Sequence, residues 1–210
     1  MPETYINLVF EDMLSETVLR RLLRCSRVTY GVGFAHNAGG SGWIKKRIND
    51  FNRAAQGMPY LVLTDLDTCE CAPVLIRQWL DTPKHPNLLF RVAVREVEAW
   101  LLGCREAFAA FLGISESRIP TNVDGIADPK AFVVDLARRS RKRDVRVDIV
   151  PEEGSMAQVG PAYNERLRLF MEMSWDPAVA KRRSPSLRRA IRALDLFEPA
   201  LPSSRNRSNC

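Results

Sequence analysis

The chain has 210 residues, 46% hydrophobic and 27% charged, with a net charge of +6. That is enough for one good core, or one core and a small appendage, and it argues against wholesale disorder. No apolar run approaches the roughly 18 residues of a membrane span, the opening MPETYINLVF is not a secretory signal, and five scattered cysteines are not a disulfide framework, so a cytoplasmic protein with no membrane association is expected.

In chain order, Tyr5–Phe10 (YINLVF) is a β-rich run that ends at Glu11. Asp12–Arg24 then carries Leu14, Val18, Leu19, Leu22 and Leu23 at helical spacing. Val28–Phe34 predicts a second strand broken by Gly31 and Gly33, followed by the loop Asn37–Gly42 and a helix over Trp43–Ala55. Tyr60–Thr64 (YLVLT) is a short, continuous apolar run of the kind buried on both faces of a parallel sheet, and it runs directly into Asp65-Leu66-Asp67. A helix over Pro73–Leu80 leads to a fourth strand, Leu88–Val94, and a single helix is expected over Glu96–Leu112.

Strands separated by helices of this length predict βαβ units: an α/β fold with a mostly parallel four-stranded sheet flanked by helices, over residues 1–113. Residues 114–198 then read as a basic helical extension. Its helices are expected at Pro129–Ser140, Pro161–Ser174 and Pro185–Phe197, each with proline near its first turn. The polar tail 199–210 reads as disordered. Between Arg138 and Arg192, 14 Lys or Arg stand against 7 Asp or Glu, the charge pattern of a surface that meets a polyanion or simply of a solvated helical face.

Acids finish three of the four predicted strands: Glu11, then Asp65 with Asp67, then Glu96 with Glu98. Ligands of parallel sheets bind outside the carboxyl ends of the strands. Carboxylates converging there repel one another unless a cation sits among them, and oxygen-only ligands suit Mg²⁺ or Mn²⁺. The competing reading makes each acid a helix cap or a first-turn residue stabilised by the helix dipole.

A strand ending in Glu followed by a later strand ending in Asp-x-Asp resembles the TOPRIM domains of topoisomerases, primases and OLD-type nucleases. The chain to about Phe197 also resembles a bacterial family of unknown function with a TOPRIM-like core. The matching stretches are FEDMLSE, Gly39-Gly40, LVLTDLDTCEC, AVREVEAWLL, DPKAFVVDLARRSRKR, GPAYNERL and SPSLRRA. The resemblance implies that Glu11 is a general acid/base or second metal ligand, that Asp65 and Asp67 hold a metal, and that Glu96 or Glu98 adds a carboxylate. Asp12 stands where TOPRIM proteins usually place glycine, with Glu16 as an alternative helper to Glu11.

Family members resemble components of two-gene phage-defence operons that pair such a protein with an ATPase. The expected activity is therefore metal-dependent cleavage of nucleic acid, DNA foremost. Lys130 and the basic residues Arg138, Arg139, Arg141, Lys142, Arg143, Arg188 and Arg189 would neutralise its phosphates.

Two other readings compete. Asp65-Leu66-Asp67-Thr68 also fits the first motif of haloacid-dehalogenase-type phosphatases, but on the third strand rather than the first. A non-catalytic subunit docking an ATPase through its basic helices is the other. Cys69 and Cys71 lack the partners of a zinc site, and the Gly39–Gly42 loop lacks the Lys-Ser/Thr ending of a P-loop.

Overall fold

The computed structural model describes residues 3–200. The strands are β1 (Thr4–Phe10), β2 (Tyr30–Asn37), β3 (Tyr60–Asp65) and β4 (Leu88–Ala93). Between them lie α1 (Met13–Arg24), α2 (Ser41–Ala54) and α3 (Ala72–Trp79). After β4 come α4 (Val97–Leu102), α5 (Arg105–Leu112), α6 (Pro129–Arg138), α7 (Arg143–Ile149), α8 (Tyr163–Met173), α9 (Pro177–Ala180) and α10 (Pro185–Asp195). No described helix is long and apolar enough to cross a membrane.

The sheet order is β2-β1-β3-β4 with every pairing parallel. The chain steps one way from β1 to β2 and the other way from β3 to β4, which sends the crossover helices to opposite faces. Side-chain alternation follows. Ile6, Leu8, Phe10, Leu61, Leu63 and Leu89 pack with α1 in one core, whereas Val9, Val62, Phe90 and Val92 pack with Ile44 and Ile48 of α2 and Leu75 of α3 in another. The helices after Gly113 join the first of these cores: Val133, Leu167, Phe170, Trp175 and Leu187 belong to the cluster that holds Leu8 and Leu63.

Three expectations change at this level. The second strand runs on to Asn37, because Gly31 and Gly33 do not break it. They make room for β1 side chains instead, since a Cβ would come within 2.9 Å of Tyr5 and 2.8 Å of Asn7. The single helix expected over Glu96–Leu112 is two helices parted at Gly103-Cys104. There the backbone of Ala180 presses so close that a Cβ on Gly103 would lie 2.7 Å from its carbonyl oxygen. The basic run after Arg138 contains an unexpected helix, α7, which buries Val145 and Ile149 one turn apart.

Ala200, which the sequence places in the polar tail, is tied to the residue before β4. The Ala200 N–H donates to Asn87 Oδ1 at 2.7 Å and Asn87 Nδ2 donates back to the Ala200 carbonyl at 3.0 Å. Residues 201–210 lie outside the described residues, Cys210 among them. The other four cysteines are free thiols.

Candidate metal centre at the strand ends

Connections leave β1 and β3 in opposite directions, so the crevice beyond the carboxyl ends of these two neighbours is the switch point of the sheet, where parallel folds bind ligands. Glu11 directly follows β1 and Asp65 ends β3. Glu11 Oε1 accepts the Asp65 N–H at 2.8 Å and the Thr64 hydroxyl, which ties the two strand ends together. Asp65 Oδ1 in turn accepts the Val97 N–H at 3.1 Å, the first free donor of α4. Asp67 sits one turn further on, exposed, with φ of 49°, a left-handed conformation that aspartate tolerates better than most residues. Arg95 Nη1 holds this loop by donating to the carbonyls of Asp67 and Cys69 at 2.9 and 2.8 Å.

The two acids after β4 part ways. Glu96 stands at the N-cap position of α4 without a side-chain bond to that helix; its Oε2 instead accepts the Lys130 N–H at 2.8 Å, a free donor in the first turn of α6. Glu98, from the wholly buried helix α4, is only 2% exposed. Its Oε1 accepts the Tyr163 hydroxyl at 3.0 Å and lies 3.5 Å from Lys130 Nζ, which is also 3.7 Å from Glu96 Oε1. Four chain segments thus bring Glu11, Asp65, Glu96, Glu98 and Lys130 into one neighbourhood. Asp67 reaches its open side, near enough for its charge to be felt at Glu11.

Burial dominates the electrostatics. It pushes Asp65 well above the usual carboxylate range, with the Glu98 and Glu11 charges adding to the rise and Lys130 opposing it. Burial also raises Glu98 despite Lys130, and raises Glu11 despite its hydrogen bonds from Thr64 and Asp65. Burial lowers the Lys130 ammonium, but Glu98, Glu96 and Asp65 outweigh it and leave the group firmly protonated.

Asp65, Glu98 and Glu11 hold their protons more tightly folded than unfolded. Stability from this source is complete below the ordinary carboxylate range, at about pH 4, and declines as pH climbs through the raised values. Thermal melts in a chelator are expected to show that decline toward neutral pH, and Asp65→Asn is expected to flatten it. A second expectation concerns Tyr163, which the sequence offered only as the aromatic of GPAYNERL. Removing its hydroxyl leaves Glu98 short of a donor in the core, so Tyr163→Phe should lower unfolding free energy by about 2 kcal/mol in urea titrations.

Among the described residues, no three His, Cys, Asp or Glu side chains group their atoms as ready metal ligands. Lys130 supplies the cation that the converging acids require, and several acids also serve as helix caps. The donor chemistry nevertheless suits a hard divalent ion. Mg²⁺ needs only one or two protein carboxylates, the rest of its shell being water and substrate phosphate, and Glu11 with Asp65 meets that condition. Glu98, which with Glu96 was expected to offer a further carboxylate, is enclosed with Tyr163 and Lys130.

Of the expected phosphate-binding residues, Lys130 belongs to this crevice, whereas the cluster from Arg138 to Arg143 lies apart from it. Arg138 is eight residues beyond Lys130 on α6, about 12 Å along the axis. Arg138, Arg139, Arg141, Lys142 and Arg143 are all exposed at that far end. Arg139 pairs with Asp135 at 3.2 Å, and Lys142 Nζ caps α5 through the Ala110 and Phe111 carbonyls, both at 2.9 Å. Arg188 and Arg189 are exposed on α10. Residues the sequence reading missed are Thr64, Arg95 and Tyr163, which position the acids through contacts distant in sequence.

Set against protein-family models, curated proteins and solved structures, the chain matches none.

Proposed function

We propose that the protein is a metal-dependent nuclease with a TOPRIM-like reaction centre. The observation that carries this reading is the meeting of Glu11 and Asp65 at the switch point of the sheet, backed by Glu96, Glu98 and Lys130. Bound there, Mg²⁺ or Mn²⁺ supplies Lewis-acid stabilisation of the charge that develops on a phosphoryl oxygen.

The chain's own groups do the rest. Asp65, with Glu11 and Asp67, is the holding set. Glu11, whose proton affinity is raised by burial, is suited to take a proton from the attacking water. Lys130 balances Glu96 and Glu98 and keeps Asp65 available, so that substrate phosphate and ligand carboxylates do not repel. Arg138, Arg139, Arg141, Lys142, Arg143, Arg188 and Arg189 form the outer electrostatic surface for DNA. Within a bacterial defence system, an ATPase would be the protein partner.

Incubation of the purified protein with supercoiled plasmid and Mn²⁺ or Mg²⁺ tests this reading. Nicking that disappears in EDTA supports it, and an intact plasmid across both metals counts against it.

The second reading, a non-catalytic subunit of an ATPase complex, is favoured by one observation: Lys130 already neutralises the acids. Here Mn²⁺ would leave the melting temperature unchanged. A bound metal would instead raise it through linkage.

A further inference from the structure

Basic residues gather along the free edge of β4. α3 flanks that edge on one side and α10 on the other, and between them is a cavity of about 560 Å³. Arg91 from β4, Arg95 from the turn after it and Arg189 from α10 all line it. Arg91 and Arg189 also line a neighbouring cavity of about 520 Å³ together with Lys84 and Arg192, so these two arginines face two adjacent basic spaces, together the trough.

Three acids border the trough. Asp124 is already engaged, accepting from the Ser184 hydroxyl at 2.6 Å and the Ser186 N–H at 2.8 Å. Glu70 and Glu198 are exposed. Among the described residues, none of the five cations forms a salt bridge.

Arg91 is the anomaly. Its Nε is buried and has no hydrogen-bond partner among the described residues. Burial lowers the proton affinity of the guanidinium, and the like charge of Arg189 lowers it further. Two guanidiniums brought together at a cavity wall without an acid between them form an arrangement that folding alone disfavours. A dianionic oxygen cluster resolves it, since planar guanidinium forks match phosphate geometry. The cavity also presents Ile76, Phe90 and Val92, apolar surface suited to a sugar or base, and its volume is in the range of small-molecule sites. The first turn of α3, whose cap residue Cys71 makes no side-chain hydrogen bond, opens onto the same space.

We infer that the trough between α3, the edge of β4 and α10 binds the phosphate of a nucleotide, free or within a single strand, through Arg91 and Arg189 with Arg95 beside them. The site does not rest on the metal-centre reading. It would serve a nuclease as a strand-holding track and a non-catalytic subunit as a nucleotide sensor.

Calorimetric titration of the full chain in EDTA, with inorganic phosphate, a 5′-mononucleotide and a short oligothymidylate as separate probes, tests it. At least one probe is expected to bind. Arg189→Ala and Arg91→Gln should each weaken that binding at least tenfold, while Asp65→Asn leaves it unchanged. A preference for the mononucleotide or for the oligonucleotide identifies the source of the phosphate. Arg189 is exposed, so its replacement does not endanger folding. Arg91→Met is expected to raise the melting temperature of the ligand-free protein, whereas a purely structural arginine would lower it. No binding by any probe, or binding indifferent to both arginines, would overturn the assignment.

Discussion

Asp65→Asn is expected to lower Mn²⁺-dependent DNA cleavage about a thousandfold, the rate equivalent of the several kcal/mol of charge stabilisation that a correctly held ion supplies. The amide keeps nearly the same shape and still offers an oxygen to the Val97 N–H, so the junction of β3 with α4 survives. It cannot carry the negative charge that holds a divalent ion. The same change removes an acid that burial and the Glu98 and Glu11 charges hold above its ordinary range. The variant should therefore melt at the same temperature as the parent or higher near neutral pH, which separates lost chemistry from lost folding. Plasmid nicking followed over time, with a melting curve on the same preparation, checks both halves.

Lys130→Met is expected to be the most destabilising single change at the site. Glu98 is 2% exposed and Lys130 Nζ is its only cation within salt-bridge distance among the described residues. Taking one partner from a buried ion pair costs about 3–5 kcal/mol; the lysine side chain is 33% exposed, which places the loss near the lower end, at about 3 kcal/mol. Adding Glu98→Gln should recover much of that loss, because the amide leaves no charge unbalanced and still accepts from Tyr163. Mn²⁺ should stabilise Lys130→Met more than it stabilises the parent, since the metal supplies positive charge beside acids that the ammonium no longer balances. Urea unfolding of the single and double variants, with and without Mn²⁺, measures all three effects.

The sheet was legible in the sequence for a physical reason. Parallel strands buried on both faces read as near-continuous apolar runs; YLVLT is one, and YINLVF and LLFRVA are interrupted only by Asn7 and Arg91. Their terminal acids were legible with them, because a charge that ends a buried strand has to lie at the sheet's rim. Lys130 stood out only as a cation that could neutralise substrate phosphates; no local pattern reveals that the second residue of α6 returns to Glu96 and Glu98.

What the sequence concealed were contacts between distant segments. The break between α4 and α5 is caused by the backbone of Ala180, and the two halves otherwise share one apolar stripe. The glycines of β2 resembled strand breakers because the Tyr5 and Asn7 side chains they accommodate lie on another strand. Glu96 and Glu98 looked equivalent two residues apart. Only the packing of α8 against the cluster sends Glu98 inward to Tyr163 while Glu96 stays with α6. The basic surface was legible as a charge excess but not in its division. One part caps α5 at the far end of α6, and another faces Arg91 across the trough beside β4.

Anomalous diffraction from crystals soaked in Mn²⁺ examines the reaction centre most directly. One manganese peak is expected in the crevice beyond β1 and β3, at about 2.2 Å from carboxylate oxygens of Glu11 and Asp65, with the Lys130 ammonium still held by Glu96 and Glu98. A saturated soak that leaves this crevice without a peak would contradict a metal-dependent centre and leave the acids as a structural ion network.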